Sequence, residues 1–488
     1  MGRLVTPAAP VPLAQLGRVH FIGIGGAGMS GIARIMINRG VAVSGSDAAD
    51  SGMLHSLASL GADVHVGHDA ASLDGADTVV VSTAIRPDNP ELAQARRLGL
   101  RVLHRSTALA SLMLGRRGAA VAGTHGKTTT SAMLATVLRR GGADPGYVVG
   151  GVLTETGLGA DDGAGELFVV EADESDGSFL ALSPELAVLT CVEADHLDNY
   201  EDLAEIEATF ARFVGCITSG GVLVACGDDP GARAAAATAR GLGLRVVTYG
   251  EAGDTEFRVS EVVTHGMSVE FRLSEQPGTD GGAAPQAVLT VGVPGHHNAL
   301  NAAAAYAAAR LLGLDAASAA EGLAGYRGAG RRLEPKGEGG GVLVLDSYAH
   351  HPTELAADLR AAREIRPAGR VIAVFQPHLF SRTRIFAAQF GAALGLADEA
   401  LVLDVYAARE DPEPGVSGLM VSQAVPGGRG SFEPDRAAVP SAVADLAKPG
   451  DLVLTMGAGD VTALGPQIVA ALRERAGQLD GPPGESDD

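Results

Sequence analysis

The chain has 488 residues, 46 % hydrophobic and 19 % charged, with a formal net charge of −21 at pH 7; that length exceeds what one hydrophobic core usually organises and predicts two to four domains. The acidic balance argues against a phosphate-backbone partner, which is bound through clustered Lys and Arg, so no nucleic acid is expected, although a small anion held by a few local donors fits. No window approaches the roughly 18 consecutive apolar residues of a membrane helix, so the expectation is a cytoplasmic protein with no membrane partner.

The start, "MGRLVTPAAPVPLAQLG", has no apolar h-region, and the match of Met1-Gly2 with Thr6 to a myristoylation signal is short enough to arise by chance. Next comes "VHFIGIGGAGMSG", residues 19–31, in which an apolar strand runs into Gly23-x-Gly25-x-x-Gly28 at the head of a helical pattern. This is the arrangement that offers backbone N–H groups to a diphosphate, and on spacing alone a dinucleotide and another diphosphate fit equally well. Strand patterns "VAVSGSD", "TVVVSTAI" and "RVLHRSTALASLM" follow, and "LGRRG" closes a first block over residues 1–115.

A second block is expected over residues 116–329. It opens with strand "AAVAG" and then "GTHGKTTT", Gly123 to Thr130, ahead of the helical "SAMLATVLRR". Here glycines bring the backbone to phosphate, Lys127 reaches the β and γ phosphates, and Thr128 can ligate Mg²⁺. Only three of the 37 basic residues are lysines (Lys127, Lys336, Lys448), so a lysine kept in this loop suggests that arginine could not replace it. Glu171 ends the strand of "LFVVEADESD", where a carboxylate can bind the nucleotide's magnesium, and His196 follows the strand of "LAVLTCVEADHLDNY". Either could be an ordinary loop residue; three strands ending in Lys, Glu and His chemistry argue for one site. Cys191, Cys216 and Cys226 lack metal-ligand spacing and read as buried free thiols. Residues 274–286, "SEQPGTDGGAAPQ", are loop-like. Asn298 and Asn301 of "GHHNALNA" are spaced to share a helix face, though simple N-capping by one of them fits as well.

The third block, residues 330–476, follows "YRGAGRRLEPKGEGG" and holds four strand patterns, "GVLVLDSY", "RVIAVFQPH", "ALVLDVYAARE" and "DLVLTMGAGD". Arg331 and Arg332 fall at its junction with the second. Residues 477–488, "GQLDGPPGESDD", read as a disordered tail. Apolar runs alternating with Ala/Leu-rich helical patterns three times over predict an α/β protein of three domains, each a mainly parallel sheet with ligands beyond its strands' carboxyl ends. A monomer or a homodimer is expected.

With these residues in place, the chain resembles the Mur ligase family, in its alanine-adding branch. The motifs "HFIGIGGAGMSG", "GTHGKTTT", "EADESDGSF", "DHLDNY", "HHNALNA", "GRRLE", "DSYAHHPTE", "FQPHLFSRT" and "DVYAARE" occur in family order. The resemblance implies an N-terminal Rossmann-like UDP-binding domain, a central P-loop ATPase-like domain and a C-terminal Rossmann-like domain. It further implies an ATP- and Mg²⁺-dependent ligase joining L-alanine to the lactyl carboxylate of UDP-N-acetylmuramic acid. It gives the UDP-sugar to Gly23, Gly25, Gly26, Ala27, Gly28, Met29 and Ser30, with Ser46, Asp47, Ser82 and Thr83. ATP falls to Gly123, Thr124, His125, Gly126, Lys127, Thr128 and Thr129, with Asn298, Asn301, Arg332 and Asp346, the last on the nucleoside. The metal falls to Thr128, Glu171 and His196, and the amino acid to Tyr348, His378 and Arg382; Lys127, Glu171, His196 and Arg332 would carry the chemistry. Two departures stand out. Many relatives read Asp-Asp-Tyr where this chain has Asp346-Ser347-Tyr348. Other branches use a carbamylated lysine as a metal bridge, and no lysine lies between Lys127 and Lys336.

Overall fold

The computed structural model describes residues 4–5, 8–197, 199–276, 286–408 and 410–479. Its strands form three sheets. The first joins β1 (Val19–Ile22), β2 (Val43–Asp47), β3 (Asp63–Val66), β4 (Thr78–Val81) and β5 (Arg101–His104) in the order β3-β2-β1-β4-β5, all parallel. Helices α1 (Ala27–Asn38), α2 (Gly52–Ser59), α3 (Pro90–Leu98) and α4 (Arg105–Met113) accompany it. The strand order reverses between β1 and β4, and in such sheets the crevice at that reversal receives the ligand. The loops leaving these two strands are the glycine loop and the segment holding Ser82 and Thr83.

The second sheet has ten strands: β6 (Arg117–Ala122), β7 (Gly146–Leu153), β8 (Leu158–Asp161), β9 (Leu167–Glu171), β10 (Leu186–Leu189), β11 (Val222–Cys226), β12 (Arg245–Gly250), β13 (Phe257–His265), β14 (Ser268–Glu275) and β15 (Gln286–Val291). They run β15-β14-β13-β12-β11-β10-β6-β9-β7-β8. Its helices are α5 (Lys127–Arg140), α6 (Leu203–Val214), α7 (Pro230–Gly241), α8 (His296–Leu311) and α9 (Ala316–Ala324). Strand β6 lies between β10 and β9, parallel to both, and is buried from Gly118 onward, as expected of a small-residue strand covered on both faces. Its end therefore delivers Gly123–Thr130 to the middle of the sheet.

The third sheet is β16 (Glu334–Gly339), β17 (Val342–Ser347), β18 (Val371–Phe375), β19 (Glu399–Val402), β20 (Gly430–Phe432) and β21 (Leu452–Met456), ordered β16-β17-β21-β18-β19-β20 and parallel except for β16 on β17. Helices α10 (Pro352–Ile365), α11 (Phe380–Leu394), α12 (Gly418–Gln423), α13 (Val439–Leu446) and α14 (Leu464–Leu479) complete it. Leu345, Leu355, Leu359, Phe375, Phe390 and Leu394 fill the core on one face, and Val344, Ile372, Val374, Val453, Leu464 and Ile468 that on the other.

Helix starts differ in how they are capped. Helices α2, α3, α6, α7 and α9 are capped by the side chains of Ser51, Asn89, Asp202, Asp229 and Asp315. In contrast, α1 and α5 start after Gly26 and Gly126 with no side-chain cap.

Two expectations about irregular segments are adjusted. Ser274 and Glu275 finish β14 and Gln286 starts β15, leaving 277–285 of the expected loop outside the described residues. Helix α14 runs to Leu479, three residues into the expected tail, and 480–488 lie outside the described residues. Among the described residues no helix is long and apolar enough to cross a membrane. The chain divides into two compact units, residues 1–261, 271–291 and 300–329, and residues 262–270, 292–299 and 330–488. The first two sheets thus lie in the first unit, apart from the hairpin tip of β13 and β14.

Phe390 is fully buried and packs 5.1 Å, centroid to centroid, from Phe375. Phe390→Ala is expected to destabilise the second unit by about 3–5 kcal/mol, the cost of a lost aromatic plus its cavity. Urea unfolding followed by circular dichroism reads this, and a loss below about 1 kcal/mol would contradict the packing described.

Candidate active site

The first glycine loop is tied to its own sheet. Gly23 and Ile24 donate to the Ser46 carbonyl at 2.8 and 3.0 Å, and Gly25 donates to Asp47 Oδ2 at 2.9 Å. A Cβ on Gly25 would stand 2.9 Å from that carboxylate oxygen, so glycine is required for the contact. Of the expected residues, Asp47 therefore braces the loop directly. Ser46 is buried and donates to Glu91 Oε2 at 2.6 Å, with His68 Nδ1 at 2.9 Å, so its hydroxyl belongs to an internal network. Met29 and Ser30 are buried, and the Ser30 N–H donates to the Gly26 carbonyl at 2.8 Å. Thr83 donates to Asp176 Oδ2 at 3.2 Å, and Ser82 is half-buried.

The second loop closes around Lys127. Its ammonium donates to the Gly123 carbonyl at 2.7 Å, the Thr124 carbonyl at 3.0 Å and Glu174 Oε1 at 2.8 Å. Burial works against this charge, but Glu174, Asp173 and Glu171 outweigh it and raise the lysine above its ordinary range, so it is an ammonium at any physiological pH. Gly123, at φ 130°, passes so close to Thr190 and Cys191 that no side chain fits. At Gly126, φ 81°, a Cβ would lie 2.6 Å from Asn301 Oδ1, which also contacts the Thr130 hydroxyl at 3.2 Å. Thr124 and Thr129 are buried, and His125 Nε2 lies 3.5 Å from Glu193.

Thr128 donates to Glu171 Oε1 at 3.0 Å, while Glu171 Oε2 accepts from the Gly150 N–H at 2.6 Å. A hydroxyl and a carboxylate meeting at two strand ends make a hard-oxygen donor set that suits Mg²⁺. His196 holds φ at 52°, a left-handed conformation, and directs Nε2 to within 3.5 Å of Glu174 Oε1 and 3.6 Å of Asp195. Glu174 thus links Lys127 to His196. Asp198 lies outside the described residues.

Sequence reasoning missed Arg105 and Asp173. They form an ion pair, and both line a cavity of ≈ 140 Å³ with Gly28, Gly150, Glu171 and Ser178. The Arg105 guanidinium comes within 3.1 Å of where a Gly28 side chain would be, so one cation overlooks the first loop while the same cavity reaches Glu171 beside the second. Burial opposes the Asp173 charge, yet Arg105, Lys127 and His196 hold its carboxyl well below the usual range. The signal in the sequence was positional: Arg105 directly follows β5, at a carboxyl end where ligand groups gather.

The second unit carries its own polar group. Arg331 and Arg332 stack on the Tyr348 ring at 4.9 and 5.5 Å, and Arg332 reaches Glu354 at 3.9 Å. Tyr348 is 5.2 Å from His350, which is 6.3 Å from His378, which stacks on Tyr406 at 5.8 Å, all between ring centroids. Arg382 is buried in the first turn of α11, and Asn298 donates to the Pro294 carbonyl at 2.7 Å. Asp346 departs from expectation: it is 0 % exposed, accepting from Thr455 and Thr462 at 2.7 Å each and from Arg331 at 3.3 Å, so it serves the fold and presents no surface to a nucleoside. The adjacent Ser347 hydroxyl accepts from the Ala349 N–H at 3.0 Å and is hydrogen-bonded to Asp358 of α10. His297 Nε2 is 3.6 Å from Asp358 Oδ1. Burial pushes Asp358 up to about 7, and burial with His296 and Arg332 pushes His297 down to about 4. Nothing in the sequence pairs position 347 with position 358, which lie on different elements.

Matches to family descriptions cover these three sheets in turn. Residues 18–117 match the catalytic domain of the Mur ligase family, 121–309 the Mur ligase middle domain and 331–459 the Mur ligase glutamate ligase domain. The chain belongs to the Mur ligase family. It is 57 % identical over 477 residues to the UDP-N-acetylmuramate–L-alanine ligase of Thermobifida fusca, covering 96 % of this chain and 99 % of that one. It is 51 % identical over 470 residues to the ligase of the same name from Streptomyces avermitilis, covering 96 % and 100 %. Among solved structures it is similar to the UDP-N-acetylmuramate–alanine ligase of Thermotoga maritima, with a TM-score of 0.77, 27 % identity and coverage of 94 % and 99 %. It is also similar to a murein peptide ligase from Psychrobacter arcticus, at 0.70, 26 %, 94 % and 99 %.

The displaced Asp358 carboxyl has a stability consequence. The folded chain holds a proton there up to about pH 7, whereas an unfolded aspartate releases it near pH 4, so the folded state binds the extra proton between those values. Its contribution to stability is therefore greatest below pH 4 and falls as pH rises to 7. Asp358→Asn removes that dependence, and its Tm relative to the parent is expected to be higher at pH 8 than at pH 5. Equal differences at the two pH values, by calorimetry, would contradict the raised titration.

Proposed function

We propose that this protein joins L-alanine to the lactyl carboxylate of UDP-N-acetylmuramic acid, converting ATP to ADP and phosphate in the making of a peptidoglycan precursor, in the cytoplasm where both nucleotides occur. The observation that carries the reading is the pair of glycine loops, each opening a helix with no side-chain cap, with one cavity touching Gly28 of the first and Glu171 beside the second. Two helix N-termini favour two anions. The relatives' names supply a diphosphate sugar, which we assign to the first loop, and we assign ATP to the second.

In the proposed reaction a carboxylate oxygen of the sugar attacks the γ phosphorus, the bond to the β-phosphate oxygen breaks, and ADP leaves. The acyl phosphate then presents a carbonyl with a good leaving group; the neutral amine of L-alanine attacks it, phosphate departs and the amide nitrogen gives up a proton. Both reactants of the first step are anions, so positive charge must be fixed between them before they meet. Lys127 supplies it on the ATP side, its ammonium held by backbone carbonyls and Glu174. Arg105 supplies it on the sugar side, over the first loop. Thr128, Glu171 and His196 are the residues we assign to Mg²⁺, which when bound neutralises phosphate charge. Arg332, with Asn298 and Asn301, is assigned to the nucleotide, and Tyr348, His378 and Arg382 to the amino acid.

Lys127→Arg and Lys127→Ala are each expected to lower kcat/KM for ATP by at least about 10²-fold, on the order of 3 kcal/mol, because a planar fork cannot replace a compact ammonium inside this loop. The directly measured Kd for UDP-N-acetylmuramate should stay within about twofold, whereas Arg105→Ala should weaken it by about 10-fold or more. Near-normal ligation by Lys127→Arg, or equal loss of both ligands, would overturn the division of the two loops. Titration with NAD and NADP separates the reading from a nicotinamide enzyme, since tight dinucleotide binding without UDP-sugar binding defeats it. Turnover with L-alanine should exceed that with glycine, L-serine or a tripeptide.

A further inference from the structure

Neighbouring residues of a strand face opposite sides of the sheet. At the end of β17 this sends Asp346 towards Thr455 and Thr462, where it is sealed, and Ser347 towards α10. Ser347 spends its hydroxyl inside the fold, accepting from Ala349 N–H and bonding to Asp358. Neither residue of the pair is exposed, since both stand at 0 %. The carboxyl that does reach solvent is Asp358, whose side chain is 13 % exposed. One of its oxygens is fixed by Ser347 and the other lies 3.6 Å from His297, itself one-third exposed. The charged groups around it are Glu354 and Arg332, with His296 beside His297. A carboxylate oxygen next to an imidazole that stays neutral at physiological pH suits a ligand that donates hydrogen bonds; phosphate, an acceptor, is repelled there. A carboxyl kept where burial disfavours its charge is a feature more often found at functional sites than in plain scaffolding.

We infer that Asp358, locked to the end of β17 through the Ser347 hydroxyl, accepts hydrogen bonds from the ribose hydroxyls of the nucleotide, the duty that resemblance assigns to Asp346. The inference rests on the ATP reading of the preceding section and refines it. Serine at 347 and aspartate at 358 act as one unit: the strand supplies the anchor and the helix the carboxylate. The separation explains why the motif reads Asp-Ser-Tyr here without the loss of an acid at this strand end.

The test is the ratio of KM for 2′-deoxy-ATP and 3′-deoxy-ATP to KM for ATP, with saturating UDP-N-acetylmuramate and L-alanine. At pH 8, where the Asp358 carboxyl is ionised, the parent enzyme should disfavour at least one deoxy analogue by about tenfold, as expected for a hydrogen bond to a charged group. Asp358→Ala should raise KM for ATP by about tenfold and bring that ratio below about twofold, because ligand and protein lose the same contact. A role in folding alone would change KM for all three nucleotides together and leave the ratio intact. Ser347→Ala, which removes one oxygen and no charge, should lower the ratio by at least about threefold and serves if Asp358→Ala does not fold. A parent that ignores the ribose hydroxyls, or variants that keep the parent's ratio, overturns the inference. Absence of ADP formation by the parent with all substrates present overturns the ATP reading, and the inference with it.

Discussion

A buried ammonium surrounded by carboxylates is the interaction around which the second glycine loop of the first unit is built. Lys127 can stay charged at that depth only because Glu174 contacts it and Asp173 and Glu171 lie close, and those acids are in turn held by Arg105, Thr128 and the Gly150 N–H. Removing one member of such a cluster leaves another charge buried and unpaired, which costs more than the pair contributes. Lys127 at the second loop and Arg105 at the first share Asp173 as a neighbour.

Preparation of this kind has a backbone requirement as well. The carbonyls of Gly123 and Thr124 turn inward onto the lysine, which they can do because Gly123 takes a positive φ where any side chain would strike Thr190. Helices α1 and α5 each open directly from a glycine loop, after Gly26 and Gly126, with no side-chain cap. The second unit follows another logic. There Arg331 and Arg332 lie over the Tyr348 ring, which meets His350 edge to face.

Much of this was legible in the sequence because it depends on local patterns. Strand, glycine turn and helix are contiguous at 19–31 and 119–140, and the α/β class and the order of motifs follow from them. Glu171 and His196 could be placed because each follows an apolar strand. What was not legible depends on pairing between distant elements. Arg105 and Asp173 are 68 residues apart, and Ser347 with Asp358 sit on a strand and the next helix, so only the folded chain shows that they meet. Asp346 shows the opposite failure. Its motif context pointed to a ligand, but Thr455, Thr462 and Arg331 close over it within the fold.

The central claim is that the carboxylate of a UDP-sugar, brought to the first loop, attacks ATP held at the second before any amino acid is needed. Positional isotope exchange reads this directly: ATP labelled with ¹⁸O in the β,γ bridge is incubated with enzyme, Mg²⁺ and UDP-N-acetylmuramate, without L-alanine. The account predicts scrambling of the bridge label into the β non-bridging positions, dependent on the UDP-sugar, as ADP forms and reverts beside the acyl phosphate. Absence of scrambling while alanine-dependent ligation proceeds, or equal scrambling without the UDP-sugar, would contradict it.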